Sequence, residues 1–297
     1  MFSQYYGSYL LKRKLISAEQ LRHVLERESS TKVRIGILAI DAGYMTAQQV
    51  NQVNEMQKRE NLRFGEIAIK QNYMTHEQLD ELLSNQKQSH LSISQTLLDM
   101  DIMGFEQVET VFNEFKKDSG FSDKELEALK NNDIDNLVPL FLKDVDGDFA
   151  ENCKTYATLF IKTLIRFITS DIRLEKAERL TQLAFSCFSF QEITGHGTLY
   201  TGITAEQNSM LQLANVFGRE DRTSLDDIAI DALKELINTH NGLYVSEMSG
   251  HGVELDLAPP VLIENGTVST KGHFIRIHFT IPHGEFSLLL IEGPMIV

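Results

Sequence analysis

Apolar and polar positions over the first third of the chain recur with a step of 29. Shifting the sequence by that amount aligns Gly7, Gly36, Gly65 and Ser94, and then Gln20, Gln49, Gln78 and Gln107. The apolar residue after each Gln keeps the register (Leu21, Val50, Leu79, Val108), as do Ile16, Met45, Met74 and Met103. Self-similarity of this length marks supersecondary units that cannot bury their apolar stripes singly and must stack. Each unit reads as two short helices, an apolar one around the Gly and an amphipathic one begun by Ser17, Thr46 or Thr75. Thr46-x-x-Gln49 and Thr75-x-x-Gln78 have the form of capping boxes, in which hydroxyl and amide satisfy orphan backbone donors reciprocally. The pattern predicts an all-α N-terminal domain of helical repeats over residues 1–115.

Beyond Phe115 charges are dense and apolar residues come in short patches, so residues 116–148 read as an acidic linker. One short helix is expected in it, about Ser122 to Lys130, with Ser122 as its cap. Asp144, Asp146 and Asp148 imitate the start of a calcium loop, but Phe149 and Thr155 stand where glycine and a carboxylate are needed. A solvated turn is the better reading. Then Phe149, Cys153, Tyr156, Phe160, Leu164 and Ile168 recur at three- and four-residue steps, which predicts a long amphipathic helix to about Ile172. Strands are expected at Leu183–Phe190 and Gly197–Ile203, with Thr204 capping a helix that ends near Gly218. A second long helix is expected from about Leu225 to Met248. The tail reads as strands Val253–Leu257, Phe274–Ile281 and Phe286–Ile291, the last two joined at Pro282-His283-Gly284. Alternation in Phe274–His278 suits an antiparallel sheet with one covered face. Residues 149–297 therefore form an α+β domain, an antiparallel sheet packed by two long helices.

Charge narrows the partners. The 297 residues carry 28 Lys and Arg against 42 Asp and Glu, a net charge of -14. Adhesion to polymeric nucleic acid needs clustered cations that displace counterions, and this balance excludes it. The acid is unevenly spread: residues 1–90 hold 12 basic against 10 acidic side chains, residues 91–150 hold 5 against 14, and residues 151–297 hold 11 against 18. A small anionic nucleotide thus stays compatible with the repeats. The first residues lack the apolar core of a signal peptide, and no run reaches the ~18 apolar residues of a membrane span. Cys153 and Cys187 sit in no CxxC context, and the nine His show no ligand spacing. A cytoplasmic protein with two buried thiols, no metal site and no membrane insertion is expected.

The two sharpest units run from Arg34-Ile35-Gly36 to Gln57 and from Arg63-Phe64-Gly65 to Gln86, each 24 residues long with the spacer 58–62 between. This resembles MshEN, the N-terminal domain of type II secretion and type IV pilus ATPases, whose tandem 24-residue motifs bind cyclic di-GMP. The resemblance implies cyclic di-GMP as a regulatory ligand at Arg34, Gly36, Gln57, Arg63, Gly65 and Gln86. The chemistry suits those residue types: guanidinium stacks on a base or forks onto phosphate, Gly admits close backbone approach, and Gln offers donor and acceptor together. The chain departs from the motif at Ile35, Phe64, Asn54 and Asn72.

On the second long helix Asp231, Glu235, Asn238 and Gly242 fall on one stripe, with Leu233, Leu236 and Ile237 opposite. The run Asp226-Asp227-Ile228-Ala229, Glu235-Leu236-Ile237-Asn238, Gly242 and Asp256-Leu257-Ala258-Pro259-Pro260 resembles the CheX branch of the CheC/CheX chemotaxis phosphatases. By that resemblance Asn238 orients the water that attacks a receiver's aspartyl-phosphate, and Glu235 contacts a receiver lysine. The expected partner is a phosphorylated CheY-like receiver carrying its own Mg²⁺, with no cofactor bound by this chain. The resemblance also implies a homodimer. Glu151 and Asn152 are adjacent rather than three apart, which leaves one candidate site. The alternative is a non-catalytic adaptor that binds a receiver or a secretion or motility ATPase, with the CheX-like domain serving dimerisation.

Overall fold

The computed structural model describes the chain except residues 29, 61, 85–88, 146–148 and 196 and the side chain of Ser89. It divides into two compact units, Met1–Asn132 and Asp133–Val297. The division falls inside the segment expected to be a linker. That segment holds the end of one helix and two further short helices, so it is not an extended tether.

The first unit runs α1 (Phe2–Lys12), α2 (Ala18–Glu28), α3 (Ile35–Asp41), α4 (Ala47–Gln57), α5 (Phe64–Lys70), α6 (His76–Ser84), a 3₁₀ turn (Ser89–Leu91), α7 (Ser92–Asp99), α8 (Phe105–Asp118) and α9 (Asp123–Asn131). Helices α2, α4, α6 and α8 start at 18, 47, 76 and 105, each 29 residues after the last. The preceding helices end alike. Lys14, Gly43, Asn72 and Asp101 all adopt positive φ. The next N–H then reaches back five residues, Leu15 to Leu10, Tyr44 to Ala39, Tyr73 to Ala68 and Ile102 to Leu97. This closure uses orphan carbonyls and favours Gly or Asn at the left-handed position without requiring them, which accounts for Asn72 standing where the unit before it has Gly43. Ile16, Met45, Met74 and Met103 are all buried behind these turns.

Glycine has a packing role here. A Cβ on Gly7, Gly36 or Gly65 would lie 2.6, 2.8 or 2.6 Å from Leu21, Val50 or Leu79, the apolar residue following the register Gln. The capping boxes at Thr46 and Thr75 form with both hydrogen bonds, as does a third at Ser17 with Gln20. Ser122 caps α9 in the same way.

In the second unit α10 (Ile134–Phe141) and α11 (Phe149–Phe167) are followed by β1 (Arg173–Leu174), β2 (Glu178–Thr194), β3 (Thr198–Ala205), α12 (Gln207–Gly218), α13 (Asp227–Gly250), β4 (Asp256–Leu257), β5 (Val261–Ile281), β6 (Gly284–Glu292) and β7 (Met295–Ile296). The strands form one antiparallel sheet in the order β1-β5-β6-β3-β2-β4, with β7 on β5. Strand β5 is the longest and pairs with β1, β2, β6 and β7 along its length. Residues 261–269 lie against β2, and residues 275–281 against β6.

One face of the sheet packs on the helices. Phe160 of α11 meets Phe279 and Phe286, whose rings stack 5.1 Å apart, while Leu233, Leu236 and Ile237 of α13 are fully buried. Successive strand residues point to opposite faces, and the other face carries a second cluster of Phe185, Phe188, Phe190, Val268, Phe274, Leu289 and Ile291. The expectation of one covered face is therefore corrected: β6 is buried without a break from Phe286 to Ile291. Two boundaries also move. Glu206 rather than Thr204 precedes α12, and Thr204 lies in β3. The expected strand Val253–Leu257 shrinks to Asp256–Leu257.

Candidate functional site

Helix α13 starts where its sequence provides a cap. The Asp226 carboxylate accepts the Ala229 N–H at 3.1 Å and the Arg222 Nε–H at 3.0 Å, and its hydrogen bond with Arg222 keeps it ionised below the usual carboxylate range. Asn215 of α12 grips the Arg222 main chain from both sides at 2.9 Å. The start and rotation of α13 are thereby set, with its apolar stripe inward. Asp231, Glu235 and Gly242 are exposed on the outer face, Asn238 is half-buried, and a Cβ at Gly242 would touch nothing. The Thr239 hydroxyl donates to Glu235 at 3.2 Å.

Asn238 is held from below. Its Oδ1 accepts the Gln191 Nε2–H at 3.0 Å, and the same nitrogen donates to the Ala258 carbonyl at 2.7 Å. The Gln191 Oε1 accepts from Asn241 at 2.9 Å, and the Asn241 Oδ1 accepts from Tyr156 at 2.5 Å and Thr201 at 3.1 Å. Gln191, Asn241, Thr201 and Tyr156 are all buried. Burial pushes the Tyr156 phenol up, so it stays a donor. Unmade hydrogen bonds at such depth are costly, so each member of the set supports the next. Beside it His240 is wholly buried, touches Thr163 at 3.1 Å, and is pushed down to about 3 by burial. Cys153 and Cys187 are both buried, and burial raises their thiols to about 12 and 11.

Glu235 and Asn238 are reached from the sequence, whereas Gln191, Asn241, Thr201 and Tyr156 are not. Gln191 in the apolar run Phe188-Ser189-Phe190-Gln191 and Asn241 on the inner side of α13 were the available signals, since polar residues at core positions need partners.

In the first unit an open cleft of about 1050 Å³ is lined by Arg27, Lys32, Arg34, Gln57, Phe64 and Asp99 among others. Arg34 donates its main-chain N–H to Gln95 at 3.0 Å, and its guanidinium lies 3.0 Å from Asp99, which also accepts from Gln95 at 2.9 Å. Gln57 reaches the Leu62 carbonyl at 3.4 Å. Of the six residues proposed for a nucleotide, Arg34, Gly36 and Gln57 line this cleft. Arg63 and Gly65 do not: Arg63 stands at the N-cap of α5, outside the lining, and Gly65 is covered by Leu79. Gln86 lies outside the described residues, as do Asp146 and Asp148. Among the described residues no three His, Cys, Asp or Glu side chains group as metal ligands would, and no helix is long and apolar enough to cross a membrane.

Residues 188–280 match the family described as chemotaxis phosphatase CheX. That CheX-like segment contains Gln191, Thr201, Glu235, Asn238, Asn241 and Ala258. The chain is similar to the chemotaxis protein CheX of Desulfovibrio desulfuricans (21% identity, TM-score 0.43, covering 48% of this chain and 99% of that one). It is also similar to a CheC-like superfamily protein of a Shewanella species (19%, TM-score 0.43, 48% and 97%). A third similar structure is the CheX–CheY–BeF3–Mg²⁺ complex of Borrelia burgdorferi (16%, TM-score 0.41, 48% and 97%). No curated protein matches the chain.

Proposed function

We propose that the second unit hydrolyses the aspartyl-phosphate of a CheY-type response-regulator receiver. One observation carries this reading: within the CheX-like segment, a half-buried carboxamide, Asn238, stands one turn beyond an exposed carboxylate, Glu235, on the open face of α13. Phosphoryl transfer asks a catalyst chiefly for positioning. The receiver supplies the acyl phosphate and its divalent metal. Glu235 engages a receiver cation, Gly242 leaves room for the incoming chain, and Asn238 holds the water in line. Water adds to phosphorus as the bond to the aspartyl oxygen breaks, giving inorganic phosphate, a free carboxylate and a proton. The test is the phosphoryl lifetime of acetyl-phosphate-treated CheY-type receivers with the full chain present. Acceleration by wild type and none by Asn238→Ala is expected; identical decay curves for the two would sink the enzyme reading.

The cleft of the first unit supports a second element, regulation by cyclic di-GMP. Arg34 and Gln57 share it with Phe64 and with two further cations, Arg27 and Lys32, suited to the two phosphates and flat bases of such a ligand. Titration calorimetry of the full chain with cyclic di-GMP tests this. Folded protein that gives no heat removes it.

A further inference from the structure

We propose that Gln191 is a positioning residue that decides which end of the Asn238 carboxamide faces the reacting phosphoryl group; the inference rests on the phosphatase reading above. The orientation originates at a main-chain atom. The Ala258 carbonyl can only accept, so the Gln191 atom 2.7 Å from it is the nitrogen. The Gln191 oxygen then faces Asn241 at 2.9 Å, which must present its own nitrogen. Asn241 turns its oxygen to Tyr156 and Thr201, whose hydroxyls donate. The remaining Gln191 N–H points at Asn238 at 3.0 Å and requires an oxygen there. Every amide in this hydrogen-bonded series has its sense set by that one carbonyl.

The consequence reaches the surface of α13. With Oδ1 turned inward, Asn238 presents its NH₂ outward, where it donates to the water or to a phosphoryl oxygen. The reverse orientation would aim a carbonyl at an anion and bring two N–H groups together beside a glutamine only 1% exposed. Both faults are costly where water cannot compensate. Preorganised donors of this kind are what stabilises charge that develops in a transition state.

The test compares full-length wild type, Gln191→Glu, Gln191→Leu and Asn238→Ala on a CheY-type receiver phosphorylated with acetyl phosphate. At about pH 8 the introduced carboxylate cannot donate, and the turnover rate is expected to fall about tenfold or more. KM is expected to change much less than the rate, because Glu235, the residue that engages the receiver, is untouched. As pH falls the buried carboxyl takes up a proton; its single O–H, turned to Asn238, restores that donation while the one to Ala258 stays lost, and the rate relative to wild type recovers in part. Gln191→Leu loses rate without recovery. Retained turnover in Gln191→Glu at the higher pH, or equal losses in both variants with no recovery, overturns the proposal while Asn238→Ala still identifies the enzyme. An Asn238→Ala chain as active as wild type overturns both. Should the variants not fold, side-chain amide exchange in the wild type decides: slow exchange at Gln191 Nε2 with fast exchange at Asn238 Nδ2 is expected, and the opposite order refutes the assignment.

Discussion

Asn238 and Arg34 are the polar groups on which the two units' proposed chemistry turns, and they are held in opposite ways. Asn238 is half-buried and tied to a glutamine that is 1% exposed, at the end of a chain of buried amides and hydroxyls. The Arg34 side chain is 72% exposed and is restrained by one carboxylate, Asp99, itself one-third exposed. Exposed ion pairs contribute little, so an anionic ligand can compete for Arg34 at small cost. A group that must meet a transition state is better fixed beforehand, whereas a group that recognises an effector can be borrowed from a weak internal partner. The difference in burial thus matches the difference between the two proposed roles, catalytic for Asn238 and sensing for Arg34.

The strongest attempt to break that contrast is Asn238→Ala. Loss of a prearranged donor is expected to lower receiver dephosphorylation on the order of 100-fold, with cyclic di-GMP binding unchanged by calorimetry. Acid should also separate the units. His240 is held neutral by burial, at about 3. Between pH ~6.5 and ~3 the unfolded chain binds a proton that the folded chain refuses, so the second unit should lose stability, on the order of 1 kcal/mol per pH unit, as pH falls. His240→Gln should abolish that slope in denaturant titrations. Asp41 behaves differently. Burial raises its carboxyl, but the His90 hydrogen bond and the Lys130 charge outweigh burial and bring it to about 2. Its contribution is present above pH ~4 and lost as pH falls towards 2, so the first unit should give way at lower pH than the second. Equal acid midpoints would remove the distinction.

Smaller effects sharpen it. Arg34→Ala should weaken cyclic di-GMP binding about tenfold, while Asp99→Asn, which frees the guanidinium, should strengthen it by less. Weakening by both would mean that the pair itself shapes the cleft. Gly242→Ala should be the mildest change. With no neighbour near its Cβ it should gain up to about 1 kcal/mol of helix stability, seen as a higher melting temperature, and raise the receiver KM. A lowered melting temperature would contradict the open face.

Much of this architecture is legible along the chain because it is local. The long helices α11 and α13 follow from apolar steps of three and four, and the caps at Thr46, Thr75 and Ser122 from a hydroxyl with Gln or Glu three residues on. What escapes is non-local. The first half of β5 holds Glu264, Asn265, Gly266, Lys271 and Gly272, which read as breakers. Its register with β2 makes it a strand, with Asn265 at positive φ and Gly266 leaving space for the Phe185 ring. Helix α10 was hidden by Pro139, which an eight-residue helix capped by Asp133 accommodates. Gly36 and Gly65 carry a second requirement of the same non-local kind: Val50 and Leu79 lie where a Cβ would stand. Glu235 and Asn238 are visible as a spacing on one helix, but Gln191 comes from a strand and meets Asn238 only through the fold.

The Ala258 carbonyl belongs to the main chain, so no point substitution at 258 deletes it. The N–H of the same residue is anchored to the Glu192 carbonyl at 3.0 Å, and Pro259 and Pro260 stiffen the chain immediately beyond. Genetic drift could erase Asn238 in one step and, with it, the proposed activity. It would leave the direction behind, so that a later return of asparagine to that position would find its orientation already written in the backbone.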